Sequence, residues 1–576
     1  MILCKSEFAL RLNKGSIKFL KAPMTRIELT PLFILGFVPA VFAQQYPNTG
    51  GQMQQIPVPP AASVPAPSTL LIKPNVPPQR ASNDEVAISV NALKIMGVTL
   101  FSDAEIGSLT GFQSGDQLTL LQLRKMADRI ANFYHQRGFF AAQVYLPPQT
   151  IQGGVVTMVV LEGRYGQVIL QNESHASNDT LTYFLKELSS GDVILSDALE
   201  RNLLLMSDTP GVVVNSMLVP GRTLGSSDLL VKTTAGPRVN GSVDIDNAGN
   251  RYTGTARAGA TINVNELLGY GDVSSLRLLS SGSGLQYIRG AYQSQIGKTI
   301  AGVSYSDLRY ELGREFENLG AHGSQQITSF YGSYPLIRSR TKNLFVGLNY
   351  DLKRFEDVVD TSSRLSHKHA NVLSTSLRGD TSDSTGTTTY GVTLAAGQID
   401  LKDPALQVID TTTAQTQGHF NKLNFNTNRI QKISDTLSFF ASLTGQFASK
   451  NLDVSEKMEL GGMYAVRAYP EGEAFADQGY LLTLESRLQL NAPKAVVPGQ
   501  LQLIGFLDIG TVQANKSPWT TGENRRTLSG AGVGLNWSQP QDYVVRAYYA
   551  FKLGNSKAQS APDANGRFWV QGVKYF

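Results

Sequence analysis

The 576-residue chain contains a single cysteine, Cys4, so no disulfide can form within it. It has no run of about 18 consecutive apolar residues, the length that a helix needs to cross a bilayer. Charged residues are scarce at 17%, whereas hydrophobic residues reach 41%. This composition excludes a mostly disordered chain. A membrane β-barrel stays open, because its alternating strands produce no long apolar run.

The formal net charge of +5 arises mainly in the N-terminal leader. Residues 1–43 carry six lysines and arginines against Glu7 and Glu28, which gives the leader +4 and the remaining chain about +1. A chain so close to neutral offers no bulk support for binding nucleic acid. We therefore predict no nucleic-acid partner.

The leader has the three parts of a secretory signal, with Met24 as an alternative start. Arg26 precedes an apolar segment at 32–43, and Val41-Phe42-Ala43 suits cleavage before Gln44. We therefore predict that residues 1–43 are a signal peptide. The absence of cysteine after this leader fits an oxidising periplasm, where stray thiols would pair.

Residues 44–84 hold nine prolines and predict an extended linker. A proline-rich ligand for a partner domain is the alternative interpretation. Proline removes a helix hydrogen bond and clashes with the preceding turn, so the tract excludes a long helix.

Residues 85–164 predict a small α/β domain with the element order β-α-α-β-β. Ser102 with Glu105 and Thr119 with Gln122 have the spacing of capping boxes for two helices. Strands are predicted at 86–98, 141–146 and 155–161. Residues 165–235 repeat this order more weakly, and the tripeptide Ser-Gly-Asp of 114–116 recurs at 190–192. The sequence thus predicts two small domains of one type.

From residue 236 to 576, alternation at strand length replaces helical periodicity. Leu482 and Leu484 share an apolar face, whereas Glu485 and Arg487 lie on the other, which must therefore be wet. About sixteen such segments and uneven loops are typical of an outer-membrane barrel, and the chain ends on the aromatic Phe576. A large soluble β-sandwich array is the alternative. We predict a mainly β membrane protein, whose 16-stranded barrel encloses a water-filled lumen.

The sequence contains no recognisable catalytic or metal-binding motif. None of the six histidines has metal-ligand spacing, and His367 and His369 are predicted to lie in a polar loop. No nucleophile elbow, phosphate loop or dinucleotide fingerprint occurs. We therefore predict no catalytic residues, no metal, no cofactor and no enzyme activity.

The order of these segments resembles the outer-membrane transporters of two-partner secretion, the TpsB or haemolysin activation/secretion type. The resemblance includes Leu146-Pro147-Pro148-Gln149, the closing pair Glu162-Gly163 and a stretch at 246–254 similar to the family's first barrel hairpin. In that family the small domains are periplasmic POTRA domains. The implied partners are one large secreted TpsA-type exoprotein and outer-membrane lipid, with periplasmic chaperones and barrel-assembly machinery during biogenesis.

The most specific match is Val466-Arg467-Ala468-Tyr469, in the long connection after the eleventh predicted strand. It is similar to the Val-Arg-Gly-Tyr tip of the family's sixth extracellular loop, which folds back into the barrel. The family pairs that arginine with an aspartate in an F-x-D-x-G strand, which corresponds here to Phe506, Asp508 and Gly510. Alternation along this strand independently directs Phe506 and Asp508 to the lumen. Ala468 replaces the family's usual glycine and would be strained by about 1 kcal/mol if the position needs positive φ.

The resemblance implies a pore that captures an unfolded exoprotein of the haemolysin, adhesin or contact-dependent toxin type and exports it without ATP. An extended segment of that partner would add to the first POTRA sheet at Gln143, Val144, Tyr145 and Leu146. The alternative is a factor that inserts other barrels, which shares the loop motif but usually has more POTRA domains. A passive porin would leave both small domains without a task. Many family members also carry a helix inside the pore. Here the prolines predict that this plug is absent or non-helical.

Overall fold

The computed structural model describes residues 47–60, 70–72, 86–490 and 498–576. The predicted signal peptide and most of the proline-rich tract lie outside these residues. Within the tract, the structure contains a helix α1 (Thr49–Gln54) and a strand β1 (Leu70–Ile72). No helix in the described ranges is both long and apolar enough to cross a membrane.

The first small domain places two helices on one face of a three-stranded sheet. Its elements are β2 (Ala87–Val90), β3 (Ala92–Met96), α2 (Asp103–Thr110), β4 (Asp116–Thr119), α3 (Leu120–Gln136), β5 (Gln143–Tyr145) and β6 (Val155–Leu161). The sheet order is β3-β6-β5, while β2 and β4 form a separate pair. The Ser102 hydroxyl caps α2, and Thr119 and Gln122 form the predicted capping box of α3.

Helix α3 buries one face because its apolar residues recur at helical spacing. That face contains Leu123, Met126, Ala127, Ile130 and Tyr134, and it packs on the inward side chains of β6, which are Val156, Met158 and Val160. The apolar residues of the helix, which repeat every 3.6 residues, and those of the strand, which repeat every 2 residues, pack together in one core.

Glu162 ties the end of β6 to the segment before α2. Its carboxylate accepts hydrogen bonds from the backbone N–H groups of Thr99 (2.6 Å) and Leu100 (2.9 Å) and from the Tyr134 hydroxyl (3.2 Å). Gly163 follows with φ +76°, a left-handed conformation that glycine adopts without strain. The Glu-Gly pair is thus the structural closure of this domain.

The second small domain has the same design and lies next along the chain. Its elements are β7 (Arg164–Glu173), α4 (Asn178–Leu185), α5 (Ser196–Ser207), β8 (Val212–Pro220) and β9 (Ser226–Ala235). The sheet order is β1-β8-β9-β7, so the short strand β1 pairs in parallel with the outer edge of β8.

Sixteen antiparallel strands then close into a barrel, which confirms the predicted fold class. The strands are β10 (Val239–Asp246), β11 (Arg257–Asn265), β12 (Val273–Ser280), β13 (Leu285–Ile296), β14 (Thr299–Glu311), β15 (Ala321–Arg338), β16 (Lys342–Val359), β17 (Arg364–Asp383), β18 (Gly386–Leu401), β19 (Gly418–Lys432), β20 (Leu437–Ala448), β23 (Gln478–Leu490), β24 (Gln500–Gln513), β25 (Arg525–Gln539), β26 (Tyr543–Lys552) and β27 (Gly566–Tyr575). A short hairpin of β21 (Met458–Leu460) and β22 (Ala474–Ala476) lies between β20 and β23, and a helix α6 (Pro404–Thr412) lies between β18 and β19. The barrel closes where β10 pairs with β27, from Ser242 opposite Tyr575 to Asp246 opposite Gln571.

The barrel wall is apolar outside and polar inside. On β10, Val243 and Ile245 are exposed, whereas Asp244 and Asp246 are buried on the lumen side. Asp246 forms an ion pair with Arg257 of β11, and Asp244 forms one with Arg277 of β12. Alternation therefore assigned the two faces correctly.

Each barrel strand can be given a direction, because β10 starts directly after the second small domain. We call the end of the barrel that adjoins this domain the near end and the opposite end the far end. The connection between β20 and β23, residues 449–477, therefore starts at the far end. It follows the eleventh strand, as predicted.

Helix α1 corrects the prediction that a pore helix is absent or non-helical. Its Gln52 accepts a hydrogen bond from Thr253 (3.0 Å), and the carbonyl of Gln55 accepts one from Arg257 (2.8 Å). These contacts place the helix inside the far end of the barrel. The prediction was wrong because residues 48–56 contain no proline and Asn48 caps the helix by accepting from Gly51.

The environment of Glu162 generates a pH prediction. Burial raises the pKa of Glu162, but the hydrogen bonds from Thr99, Leu100 and Tyr134 outweigh it and hold the pKa below its ordinary value of 4.5. A lowered folded-state pKa stabilises the domain above pH 4.5, and that stability is lost as the pH falls through the folded value. The protection factors of the Thr99 and Leu100 amides, which are corrected for the intrinsic slowing of exchange in acid, should therefore fall on acidification of the full chain.

Glu162→Gln should lower these protection factors already at neutral pH, with about 1–3 kcal/mol less free energy of local opening. Glu105→Gln is the matched control, because its pair with Arg137 at 3.7 Å is about half exposed. Equal exchange in the two variants would contradict the closing role of Glu162.

Candidate functional site

The connection at 449–477 folds back into the lumen and buries its tip there. The side chains of Val466, Ala468 and Tyr469 are fully buried, and Arg467 is 4% exposed. Val466 packs with Leu460 of the hairpin and with residues of the barrel wall. A guanidinium at this depth needs charged partners.

Arg467 and Asp508 form a bidentate ion pair. Arg467 Nε lies 2.8 Å from Asp508 Oδ2, and Nη2 lies 2.8 Å from Oδ1. The backbone N–H of Arg467 also donates to Oδ2 at 3.1 Å. Three hydrogen bonds from one residue to one carboxylate fix both the side chain and the backbone of the tip. We call this contact the tip lock.

A second carboxylate completes the site. Arg467 Nη1 donates to Glu485 Oε1 on β23 at 2.8 Å, and Arg487 pairs with the other Glu485 oxygen at 2.7 Å. Thr483, which lies opposite Asp508 in the register, donates its hydroxyl to Asp508 Oδ1 at 3.1 Å. Two arginines therefore neutralise two carboxylates, and the lone pairs of Asp508 are shared among four donors.

Aromatic residues cover the guanidinium. Arg467 Cζ lies 3.5 Å from the ring centre of Phe506 and 5.1 Å from that of Tyr548. Trp569 Nε1 donates to the carbonyl of Arg467 at 2.7 Å. Residues on β23, β24, β26 and β27 thus all contact the tip. The carboxylates stabilise the guanidinium by their negative charge, and the aromatic rings stabilise it through their faces.

Two glycines make room for the loop. A Cβ built on Gly510 would overlap Leu460, and one built on Gly530 would overlap the Ala468 methyl group. Ala468 is not among the residues with positive φ. The alanine in place of the family's glycine is therefore unstrained, because the space that it needs is left by Gly530 on β25.

The residues predicted to contact a partner lie elsewhere, in the first small domain. Gln143, Val144 and Tyr145 form β5, the outer strand of the sheet, and Leu146 follows it. Beyond the two prolines, the Gln149 side chain exchanges two hydrogen bonds with the backbone of Thr157 at 2.7 and 2.8 Å. The Gln149 side-chain amide thus takes the place of backbone hydrogen bonds to β6 that the two prolines, which lack an N–H group, cannot donate.

Sequence reasoning missed several partners of Arg467. In the sequence, Glu485 is recognisable only as a charge on a wet face, and no signal singles out Trp569 or Gly530. His367 and His369 lie on β17 rather than in a polar loop. Over the described ranges, no cluster of three or more His, Cys, Asp or Glu side chains could hold a metal ion.

A model of the haemolysin secretion/activation protein family ShlB/FhaC/HecB matches residues 225–537. The chain belongs to this family. A model of the ShlB-type POTRA domain matches residues 76–163, so the first small domain is a POTRA domain, and the second has the same order of elements. The protein is accordingly a two-partner secretion transporter of the outer membrane. Its POTRA domains lie in the periplasm, and the far end of the barrel faces the cell exterior.

Relatives agree with this assignment. The heme/hemopexin transporter protein HuxB of Haemophilus influenzae is 29% identical over 80% of this chain and 82% of that protein. The outer membrane transporter CdiB of Dickeya dadantii is 23% identical over 76% of this chain and 78% of its own. The solved structure of CdiB from Escherichia coli has the same fold, with a TM-score of 0.67, 20% identity and coverage of 87% and 93%. BamA from Haemophilus ducreyi lacking POTRA domains 1–3 has a TM-score of 0.52 at 13% identity, over 85% of this chain and all of that shortened one.

The contact between Ala468 and Gly530 gives a matched pair of variants. Gly530→Ala should push the tip from its seat, since overpacking costs about 1–3 kcal/mol, and Ala468→Gly in the same chain should restore it. The measurement is amide hydrogen exchange of the peptide covering residues 460–470. Gly505→Ala is the control, because a Cβ there meets nothing within 4 Å. Failure of the double variant to recover would contradict this account of Ala468.

Proposed function

We propose that this transporter captures an unfolded segment of one large exoprotein in the periplasm and passes it through the barrel lumen to the cell surface. The observation that carries the proposal is the buried tip lock in a barrel that follows two POTRA domains. The tip also packs in an apolar cluster with the wall, but its directional contacts are ion pairs and hydrogen bonds, which the polar groups of a passing chain can replace. In this proposal the loop moves within the lumen when the exoprotein passes.

Capture is proposed to occur at the free edge of β5. Its backbone N–H and C=O groups can add an extended strand with little demand on the sequence of that strand. Gln143, Val144, Tyr145 and Leu146 would line this contact. Recognition through the backbone suits a partner that arrives unfolded.

Export is proposed to need no ATP, with folding of the exoprotein outside the cell giving the direction. The exoprotein is proposed to be of the haemolysin, adhesin or contact-dependent toxin type. The second candidate function, insertion of other barrels, is favoured by the fold likeness to BamA. Two POTRA domains and the family assignment favour secretion instead.

Arg467→Ala should lower export of the exoprotein at least about tenfold, because breaking a buried ion pair costs about 3–5 kcal/mol. Asp508 and Glu485 would lose their shared counterion. The measurement is quantitative mass spectrometry of the culture medium, with an immunoblot for transporter in the outer membrane. Arg309→Ala is the control, since Arg309 is mostly exposed beside Asp307. Normal export by the Arg467 variant would overturn the role of the tip lock.

Deletion of residues 86–163 should abolish capture while leaving the barrel in the membrane. The measurement is retention of the urea-unfolded exoprotein on purified transporter in detergent. The Arg467→Ala variant serves as the positive control, because its POTRA edge is intact and it should still retain the exoprotein. Unchanged retention after the deletion would place capture outside the first POTRA domain.

A further inference from the structure

The base of the same loop is attached to a different part of the barrel wall from its tip. The loop turns at residues 453–456, which we call the base turn, with Asp453 and Glu456 at its two ends. Lys353 and Lys422 lie 2.7 and 2.8 Å from the Glu456 carboxylate. Lys368 lies 2.8 and 2.9 Å from the two oxygens of Asp453. We call these three ion pairs the lysine clamp.

The lysine clamp is built into the wall rather than formed by mobile surface charges. Its lysines stand on β16, β17 and β19, on the strand faces that alternate with lipid-facing residues such as Leu352 and Leu373. The Glu456 side chain is 2% exposed and that of Lys368 is 6% exposed. Lys422 also donates to the Glu456 carbonyl at 3.0 Å, which fixes the backbone of the base turn.

The base turn packs helix α1 against the barrel wall. Gln54 Nε2 donates to the carbonyl of Val454 at 2.5 Å. A Cβ built on Gly50 would lie 2.8 Å from the Ser455 backbone nitrogen, so the helix and the turn are in direct contact. On its other side the helix donates its Thr49 N–H to Asp357 of β16 at 2.9 Å. Helix α1 is therefore enclosed between β16 and a turn that β16 itself holds through Lys353.

The lysine clamp and the tip lock share no residue. The clamp uses β16, β17 and β19, whereas the tip lock uses β23 and β24 with support from β26 and β27. Further ion pairs hold other parts of the loop, between Lys457 and Asp477 at 3.0 Å and between Glu473 and Arg526 of β25. The lysine clamp and the tip lock are thus two distinct attachments among several.

We infer that the lysine clamp is a positioning device that keeps α1 in the lumen, and that its release opens the pore while the tip lock stays closed. Reversing one charge in the clamp leaves two like charges facing each other in a water-poor site. The base turn would then swing from the wall and free α1. The inference rests on the proposed passage of the exoprotein through the lumen, but its test requires no exoprotein, so the two can fail separately.

The test is the ionic current of the full chain reconstituted in planar bilayers at 0.15 M salt, where ion pairs are not strongly screened. Lys368→Glu should raise the time-averaged current at least about tenfold over wild type, because one partner of a buried pair is reversed. Lys368→Glu with Asp453→Lys should return the current at least part of the way to wild type, since the pair is restored with opposite polarity, although the cap that Asp453 gives to Ser455 is lost. A merely structural role of Lys368 would not predict this rescue.

Asp453→Asn provides a second variant that keeps the side-chain shape and removes the charge, and it too should raise the current. Lys432→Glu is the control, because Lys432 pairs with Asp435 at the barrel rim and both are well exposed. Hydrogen exchange of the peptide 460–470 should stay at the wild-type rate in every clamp variant. Wild-type current in both Lys368→Glu and Asp453→Asn would overturn the inference, as would a rise in current accompanied by loss of protection at the tip.

Discussion

A positive charge buried inside the barrel is the constraint on which this structure depends. Arg467 is 4% exposed, and an unpaired guanidinium at that depth would be costly. Asp508 on β24 and Glu485 on β23 pair with the guanidinium, and the indole of Trp569 on β27 donates to the Arg467 carbonyl. The loop can reach them only because Gly510 and Gly530 leave space. The strand register of the barrel and the path of the loop thus both bring partners to one residue, Arg467.

The lumen of this transporter is occupied rather than open. The tip of the loop, its base turn and helix α1 all lie within the wall, and polar contacts attach each of them. Polar contacts fix a position well, yet a passing chain or water can replace them. The fold therefore combines a rigid wall, whose strands are paired all round, with contents that can be rearranged. That division of labour suits a protein that must stay sealed between passages of its partner.

The sequence predicts features that depend on residues close together in the chain, such as strand alternation and helix caps. Alternation placed Asp508 on the lumen face, and the capping residues placed α2 and α3. Contacts across the barrel could not be predicted, since pairs such as Lys368 with Asp453 depend on strand stagger rather than on local spacing. Helix α1 was missed for another reason. Residues 48–56 contain no proline, but the average proline content of the whole tract does not show this.

Secretion of one exoprotein is the central claim, and the most direct measurement compares the surface and released proteomes of the source bacterium with and without this chain. The account predicts that one large exoprotein disappears from the cell surface and the medium, while the other outer-membrane barrels keep their abundance. Loss of many barrels at once would contradict it and would identify the chain as an assembly factor.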